Sequence, residues 1–410
     1  MESTLGRVLD TVGSYRNDIL EFAEELVALQ TENPPGRAYQ QCIDVIGSKL
    51  HEIGLDYALI EVPRKVSRIG DKAVESDFGY CLLSYFGYGK RVLYFHGHYD
   101  VVPASNESQF RPYVEDGRLG GRGSSDMKGG LAAMIYAVRA IEACGMELDG
   151  RIGLMIVPDG ETGGLQGSQH LAKVGLLGKD AIGMITPEPT GGLIWNANRG
   201  AISLLVTVKG TPAHVGLHFQ GVNAFERVLV VAKRLQEINA EVESRRTEFK
   251  IQPEAAQRSI LLMGGRCEGG TSFNVAPGEC AFTIDRRINP EEDFETERRR
   301  LLSVLEELRQ NGFGLEVEIL QEGKSSGFSE DNPLAQALAS SVEQITGKRP
   351  AFELCLGLLE TRFYAERGIP SFAYGPGLLS VSHEPNEFVK VDDICTCAKA
   401  YALTAARLLE

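Results

Sequence analysis

Hydrophobic residues recur at helical spacing near the start of the chain and predict a helix over residues 15–30. The residues that repeat at intervals of three and four are Ile19, Phe22, Ala23, Leu26 and Val27. The segment Asn33–Gly36, which contains two consecutive prolines, ends this helix. A second helix is predicted over residues 39–53, because Gly54 follows it at the position where helices commonly end.

Farther along the chain, apolar runs that end in polar turns alternate with an apolar helix. Residues 91–101, RVLYFHGHYDV, and residues 151–159, RIGLMIVPD, each predict a buried strand. Residues 131–144, which lie between them, predict the helix. Strands that alternate with helices indicate an α/β sheet. Polar residues at the ends of these strands indicate a functional site at the edge of the sheet where the strands end.

After residue 195 the pattern changes to strands with one apolar face. The predicted strands are residues 201–210, 259–265, 279–287 and 315–320. Predicted helices over 224–238 and 291–310 separate them, which gives the β-α-β-β-α-β order of a ferredoxin-like domain. We therefore predict a catalytic domain formed by residues 1–195 and 323–410, with an inserted α+β domain over residues 196–322.

The composition excludes several classes of protein. A chain of 410 residues exceeds one ordinary domain, and its formal net charge of −14 disfavours binding to nucleic acid. No apolar run approaches the roughly 18 residues of a membrane-spanning helix, so no membrane segment is expected. The N-terminus lacks the basic and apolar regions of a signal peptide, and the eight cysteines are scattered. We therefore expect a cytoplasmic protein with buried, reduced thiols.

Histidines and carboxylates cluster at the predicted strand ends. In FHGHYDVVP, the side chains of His96, His98 and Asp100 share one face of a strand, because side chains alternate along it. A histidine and a carboxylate two residues apart could therefore point at one metal ion. A core histidine beside a turn aspartate explains this segment equally well.

Four further positions favour a metal site. Asp126 lies in a loop just before the apolar helix, where a carboxylate could bridge two cations. Glu161 follows a buried strand, and Glu188 stands between two prolines. Together with His98, and with His383 near the C-terminus, they offer nitrogen and oxygen ligands that suit zinc, and also manganese or cobalt. Two such cations about 3.5–4 Å apart could polarise a carbonyl group and activate water.

The order of the motifs along the chain resembles that of the M20 peptidase and deacylase family. The motifs are H-x-D, G-x-x-D-M-K-G, an acidic turn after a strand, E-P and a late H-x-x-N-E. The resemblance covers essentially the whole chain and implies an α/β catalytic domain with a mixed sheet and a dinuclear metal centre. The implied metal ligands are His98, Asp126, Glu161, Glu188 and His383. Asp126 would bridge the two ions and Asp100 would orient His98, whereas His96 would be structural.

The resemblance extends to the predicted insert and implies a lid and dimerisation domain. Residues 210–225, GTPAHVGLHFQGVNAF, are similar to a family segment whose histidine reaches a substrate carbonyl across a dimer interface. This similarity implies a homodimer in which His214 stabilises the tetrahedral oxyanion. Asn274 and Arg287 stand where the family has residues that contact the substrate. Arg287 could bind a substrate carboxylate, or it could form a salt bridge on the sheet.

The acidic turn departs from the family pattern. The family has Asp-Glu-Glu there, with the first glutamate as the general base, whereas this chain has Asp159-Gly160-Glu161. Gly160 cannot accept a proton, and losing a general base costs about 10²–10⁴-fold in rate. Three explanations stay open: the glutamate has been removed artificially, Glu161 has become the base, or this member performs a different task.

A second departure lies at Leu359-Glu360, where the family has a Thr-Asp pair. We expect the substrate pocket to differ for this reason. Farther on, Gly375 and Gly377 could let backbone N–H groups approach an anionic part of the substrate, although an ordinary turn explains them too.

The sequence thus predicts a hydrolase that uses two divalent ions, most simply zinc, to cleave the amide bond of N-acyl amino acids or small peptides. One alternative is a non-catalytic homologue that binds metal or a small ligand in the same cleft. Another is a hydrolase of an unusual N-formyl, N-carbamoyl or aromatic amide. Tight ligand binding without turnover would favour the non-catalytic alternative.

Overall fold

The computed structural model describes residues 2–64, 66–69 and 72–409, and the chain forms two compact units. The first unit comprises Met1–Asn196, Phe328–Phe352 and Leu359–Glu410. The second comprises Ala197–Gly327 and Glu353–Leu358. The predicted fold class, an α/β domain with a mixed sheet and an inserted α+β domain, is confirmed.

The helices follow the hydrophobic pattern closely. They are α1 (Glu2–Ser14), α2 (Arg16–Val27), α3 (Tyr39–Glu52), α4 (Gly129–Ala143), α5 (Ser168–Lys173), α6 (Ala224–Ser244), α7 (Phe294–Gln310), α8 (Pro333–Thr346), α9 (Thr361–Ala365) and α10 (Val391–Leu409). The residues whose spacing predicted α2 are the ones that it buries. The helix α4, which is apolar apart from Arg139 and Glu142, is buried almost all round.

The strands form one large sheet, a four-stranded sheet and shorter pairings. They are β1 (Tyr57–Glu61), β2 (Val66–Ile69), β3 (Lys72–Glu75), β4 (Tyr80–His98), β5 (Tyr113–Glu115), β6 (Arg118–Gly120), β7 (Asp149–Val157), β8 (Ala181–Thr186), β9 (Ile194–Asn198), β10 (Gly200–Lys209), β11 (Ala213–His214), β12 (Ile260–Gly269), β13 (Val275–Ala276), β14 (Glu279–Ile288), β15 (Gly314–Gly323), β16 (Ser326–Gly327), β17 (Phe352–Cys355), β18 (Ser371–Ala373) and β19 (Phe388–Lys390).

The large sheet of the first unit brings several strand ends to one edge. The last part of β4 runs parallel to β7 and to β8, and His98 lies opposite Val157 at the end of β7. β18 runs parallel to β8, with Ala373 opposite Thr186. Because parallel strands present their carboxyl ends at the same edge, the residues that follow β4, β7, β8 and β18 come together there.

A continuous core supports this edge from one side. It contains buried apolar side chains from the large sheet and from α1, α2, α3, α4, α8 and α10. Fully burying one Leu or Ile side chain stabilises the fold by about 1.5–3 kcal/mol, so this core holds the strand ends in fixed positions. Leu93 and Phe95, on the last part of β4, are fully buried within it.

The second unit has the ferredoxin-like arrangement. Its sheet has the order β12-β14-β10-β15, all neighbours are antiparallel, and α6 and α7 contact the sheet. Along β10, the side chains of Ile202, Leu204, Val206 and Val208 are fully buried and alternate with partly exposed residues. This unit continues to Gly327 and also includes the short later segment 353–358. No sequence pattern indicated that residues 353–358 belong to the second unit.

The second unit also contains a partly buried cluster of opposite charges. The Glu292 carboxylate accepts hydrogen bonds from Arg245 over 2.6 Å and from the Asn289 amide over 2.8 Å, and also from Ser259 and Arg286. Burial raises the pKa of Glu292, but these hydrogen bonds and the charge of Arg286 outweigh burial and leave the pKa below its usual value. The charged form of Glu292 therefore stabilises the fold.

Glu292→Gln is expected to lower the free energy of unfolding at pH 7 by about 1.5–3 kcal/mol, the usual range for hydrogen bonds to a charged group. The pKa of Glu292 is lower in the folded chain than its ordinary value of 4.5, so the stabilisation is present above pH 4.5 and is lost as the pH falls below it. Urea unfolding at pH 7 and pH 3.5 tests this. Glu268→Gln, which alters an exposed pair with Arg266, is the control. An equal effect of Glu292→Gln at both pH values would contradict the prediction.

Two further expectations from the sequence concerned the cysteines, expected to be buried thiols, and the absence of a membrane-spanning helix. All eight cysteines are free thiols; Cys267 is exposed and Cys144 is half-buried, whereas the others are buried. Among the residues that the structure describes, no helix combines the length and the apolar character needed to cross a membrane.

Candidate metal centre

Five side chains converge at the carboxyl edge of the large sheet. His98 is the last residue of β4, Glu161 lies in the turn after β7, and Glu188 follows β8. Asp126 lies in the turn before α4, and His383 lies between β18 and β19. The structure thus brings together all five side chains that the sequence predicted as metal ligands.

The five side chains form two groups that share Asp126. One group contains His98, Asp126 and Glu188, and the other contains Asp126, Glu161 and His383. His98 Nε2 lies 3.5 Å from Asp126 Oδ1, and His383 Nε2 lies 3.4 Å from Asp126 Oδ2 and 3.2 Å from Glu161 Oε2. In a tetrahedral site with bonds of about 2.0–2.2 Å, ligand atoms lie about 3.3–3.6 Å apart. The spacing therefore fits one cation in each group, with Asp126 between them.

Two unpaired oxygens also fit a metal site. Asp126 Oδ1 and Glu161 Oε1 are buried, and among the described residues neither has a hydrogen-bond partner. A buried carboxylate oxygen without a partner is unfavourable unless it coordinates an ion. Asp126 belongs to both ligand groups and Glu161 to one of them, so cations bound there would offset this cost.

The pKa values in the centre indicate that its carboxylates require positive charge. Burial and the neighbouring charge of Asp126 raise the pKa of Glu161 to about 7 and that of Glu188 well above its usual value. Hydrogen bonds to Asp126 and Glu161 raise the pKa of His383 to about 10, so this ring supplies positive charge as an imidazolium. Divalent cations would supply that charge instead, and two imidazoles with three carboxylates form a suitable donor set.

Asp100 contacts the His98 ring in the way that the family resemblance implied. His98 Nδ1 lies 3.1 Å from Asp100 Oδ1 and 3.1 Å from the Asp100 carbonyl oxygen, which leaves Nε2 directed at Asp126. The Asp100 carboxylate also accepts hydrogen bonds from the amides of Gly160 and Glu161, and from the Asn33 side chain. This arrangement fixes the orientation of an imidazole whose other nitrogen could bind a metal.

A buried ion pair that sequence reasoning missed connects two ligand segments. Arg122 donates to Glu387 Oε2 over 2.6 Å and to the carbonyl of His383 over 3.1 Å. Glu387 Oε1 accepts the amides of Ser125 and Asp126 over 3.0 and 3.1 Å. Glu387 is the final glutamate of the H-x-x-N-E motif, so the sequence drew attention to this residue. No sequence pattern, however, indicates that Glu387 pairs with Arg122.

Glu360, which belongs to the second departure from the family pattern, is buried beside His96, and the expected difference in the substrate pocket stays a prediction. It is 3% exposed, and its Oε2 lies 3.0 Å from His96 Nε2. Ser168 donates to Glu360 Oε1 over 2.7 Å, and Tyr364 lies 3.1 Å from His96 Nδ1. The longer glutamate thus serves to reach a buried histidine. His96 has the structural surroundings predicted for it and is in neither ligand group.

The predicted substrate residues of the second unit lie in two places. His214 and Asn274 are neighbours, with His214 Nε2 3.5 Å from Asn274 Nδ2, and the His214 ring is exposed. Arg287 donates to both carboxylate oxygens of Asp285, over 2.6 and 3.1 Å. Its guanidinium therefore forms the salt bridge on the sheet that the sequence left open as the alternative.

Gly375 and Gly377 are buried beside ligand-bearing segments. A side chain at Gly375 would overlap the carbonyl of Pro187 and lie 2.6 Å from the carbonyl oxygen of Glu188. Gly377 has a φ of +92° and packs against Ser125. Close packing thus accounts for both glycines. Both also line a cavity of about 310 Å³, so a contact with substrate stays a prediction.

Comparisons with known proteins agree with this geometry. The family model described as Peptidase family M20/M25/M40 matches residues 94–407. A succinyl-diaminopimelate desuccinylase from Methylobacillus flagellatus is 29% identical over 404 residues, which cover 95% of this chain and 99% of the relative.

Solved structures share the fold. An M20 family metallo-carboxypeptidase from Sulfolobus solfataricus aligns with a TM-score of 0.80 at 17% identity, over 95% of this chain and 98% of the other. A dinuclear metal-binding peptidase of family M20 from Bacillus subtilis aligns with a TM-score of 0.67 at 14% identity, over 97% and 99%. Since the family match spans most of the chain and includes all five converging side chains, the protein belongs to peptidase family M20/M25/M40.

Proposed function

We propose that this protein is a metal-dependent hydrolase that cleaves the amide bond of N-acyl amino acids or small peptides. The observation that carries the proposal is the pair of ligand groups that share Asp126, because a shared carboxylate can hold two cations side by side. Membership of the family supports this reaction class. The similarity to a succinyl-diaminopimelate desuccinylase makes N-succinyl amino acids the first compounds to test.

The residues of the chain have distinct roles in this proposal. His98, Asp126 and Glu188 would hold one divalent cation, and Asp126, Glu161 and His383 would hold the other. Cations held in this way polarise a carbonyl group and lower the pKa of water to about 7. We propose zinc, for which manganese or cobalt could substitute. Asp100 would keep the His98 ring in its binding orientation.

We also propose a cytoplasmic homodimer in which His214 stabilises the oxyanion, as the family resemblance implies. His214 Nδ1 accepts a hydrogen bond from the Gly216 amide over 3.2 Å, and the His214 ring is exposed. In the proposed role, this ring would donate a hydrogen bond to the oxyanion.

Gly160 favours a second candidate function, which is metal or ligand binding without turnover. This position offers no proton acceptor, and losing a general base costs about 10²–10⁴-fold in rate. The absence of a base at position 160 is therefore compatible with a slow hydrolase and with a protein that only binds metal or ligand. Two cations side by side, however, are needed only for hydrolysis. Hydrolysis of N-formyl, N-carbamoyl or aromatic amides would use the same centre.

Removing the metal with a chelator is expected to abolish hydrolysis, and adding zinc, cobalt or manganese is expected to restore it. The test measures amine release from dipeptides and from N-succinyl, N-acetyl, N-formyl and N-carbamoyl amino acids. Long incubations are needed because of the missing base. Glu188→Gln, which removes a ligand from one group only, controls for contaminating hydrolases.

Two outcomes would contradict the hydrolase. Tight binding of these compounds without amine release would favour the binder. Equal release by the parent chain and Glu188→Gln would assign the activity to a contaminant.

A further inference from the structure

The turn that carries Gly160 is held at both of its ends. The amide of Gly160 donates to Asp100 Oδ1 over 2.9 Å, and the amide of Glu161 donates to Asp100 Oδ2 over 3.2 Å. Farther along the turn, Arg362 donates to the carbonyl of Gly163 over 2.5 Å. Asp159 accepts the amide of Gly167 over 2.7 Å. The backbone of this turn therefore cannot move without breaking buried hydrogen bonds.

The imidazole of His98 is held against the same turn. A Cβ atom built at position 160 would overlap Cγ and Cδ2 of the His98 ring and lie 2.8 Å from its Cβ. Ordinary contacts between carbon atoms are about 3.5–4.0 Å. The Cβ and Cγ atoms lie at the base of the His98 side chain, so rotating the ring about the bond between them cannot relieve these two contacts.

The Asp100 carboxylate holds both the turn at Gly160 and the His98 ring that packs against it. Asp100 Oδ1 accepts the Gly160 amide and lies 3.1 Å from His98 Nδ1. Moving the turn away from the ring, or the ring away from the turn, would therefore disrupt the Asp100 hydrogen bonds. His98 is 4% exposed, so lost hydrogen bonds would not be replaced readily by water.

We infer that Gly160 is a positioning residue for His98, and that this centre has no room for a proton-accepting side chain at position 160. The absence of a side chain lets the imidazole lie against the turn in the orientation that directs Nε2 at Asp126. The inference rests on the proposed metal centre but not on the proposed substrate.

Gly160→Ala and Gly160→Glu are the direct tests, measured on the full chain loaded with zinc or cobalt. We expect both variants to bind metal about 10–100-fold more weakly, the range seen when groups that orient a metal ligand are lost. We also expect a changed visible absorption spectrum of bound cobalt, and no gain of hydrolysis in Gly160→Glu. Gly6→Ala is the matched control, because a Cβ at Gly6 meets no atom within 4 Å.

A double-mutant cycle in the metal-free protein tests whether the effect of a side chain at position 160 arises from its overlap with the His98 ring or from a general distortion of the turn. Gly160→Ala is expected to lower the thermal midpoint in the parent chain, and to lower it much less in a His98→Ala background, where the overlapping ring is absent. This readout does not require hydrolysis, so it stands even if the proposed function fails.

Three results would overturn the inference. The first is parent-like metal affinity and an unchanged cobalt spectrum in both Gly160 variants. The second is an equal effect of Gly160→Ala with and without the His98 ring. The third is hydrolysis restored by orders of magnitude in Gly160→Glu at unchanged metal content.

Discussion

Asp126→Ala is expected to lose most of the bound metal from both ligand groups, and with it the hydrolytic activity. Asp126 contributes one carboxylate oxygen to each group, Oδ1 towards His98 and Oδ2 towards His383. Losing a residue that merely orients a ligand costs 10–100-fold in metal affinity, so losing a shared ligand should cost at least about 100-fold for both ions. Elemental analysis after dialysis against a weak chelator measures the metal that stays bound.

Variants of the unshared ligands separate the two groups. Glu188→Ala removes a ligand from the His98 group only, and Glu161→Ala removes one from the His383 group only. Each should retain metal in the other group, whereas Asp126→Ala should retain little in either. Asp392→Ala, on an exposed pair with Arg16, should leave the metal content unchanged. Full metal content in Asp126→Ala would show that the ligand assignment is wrong.

Glu387→Ala is expected to lower the free energy of unfolding by about 3–5 kcal/mol, the usual cost of leaving one member of a buried ion pair alone. The side chains of Arg122 and Glu387 are 2% and 1% exposed, so water cannot solvate the remaining guanidinium. The variant also leaves the amides of Ser125 and Asp126 without their acceptor. Chemical denaturation of the metal-free protein measures the loss.

The exposed pair of Arg16 and Asp392 again supplies the comparison. Its side chains are 45% and 81% exposed, and Asp392→Ala should cost no more than about 1 kcal/mol. Glu387→Gln keeps an acceptor for the amides of Ser125 and Asp126 but removes the charge. Its loss of unfolding free energy should therefore fall between the losses in Glu387→Ala and Asp392→Ala. A loss in Glu387→Ala as small as that in Asp392→Ala would contradict the role of this pair.

The sequence determined the elements with a clear hydrophobic period and the ligand candidates, because both depend on local pattern. Apolar spacing located α2 and α3 to within a few residues, and alternation located the strands of the second unit. The five candidate ligands stand at strand ends and turns, where parallel strands bring polar residues to one edge. The family resemblance depended on the same motifs and their order, so it was also available before the fold.

Only the tertiary structure decided which side chains meet across long separations in the chain. Arg122 and Glu387 are 265 positions apart, and His96 and Glu360 are 264 apart, so no local pattern could pair them. The same holds for Gly160, which the sequence shows only as a missing carboxylate. Its packing against His98 depends on how Asp100 holds the strand end and the turn together. Local spacing governs which elements form, whereas the space between side chains is set by packing of the whole unit.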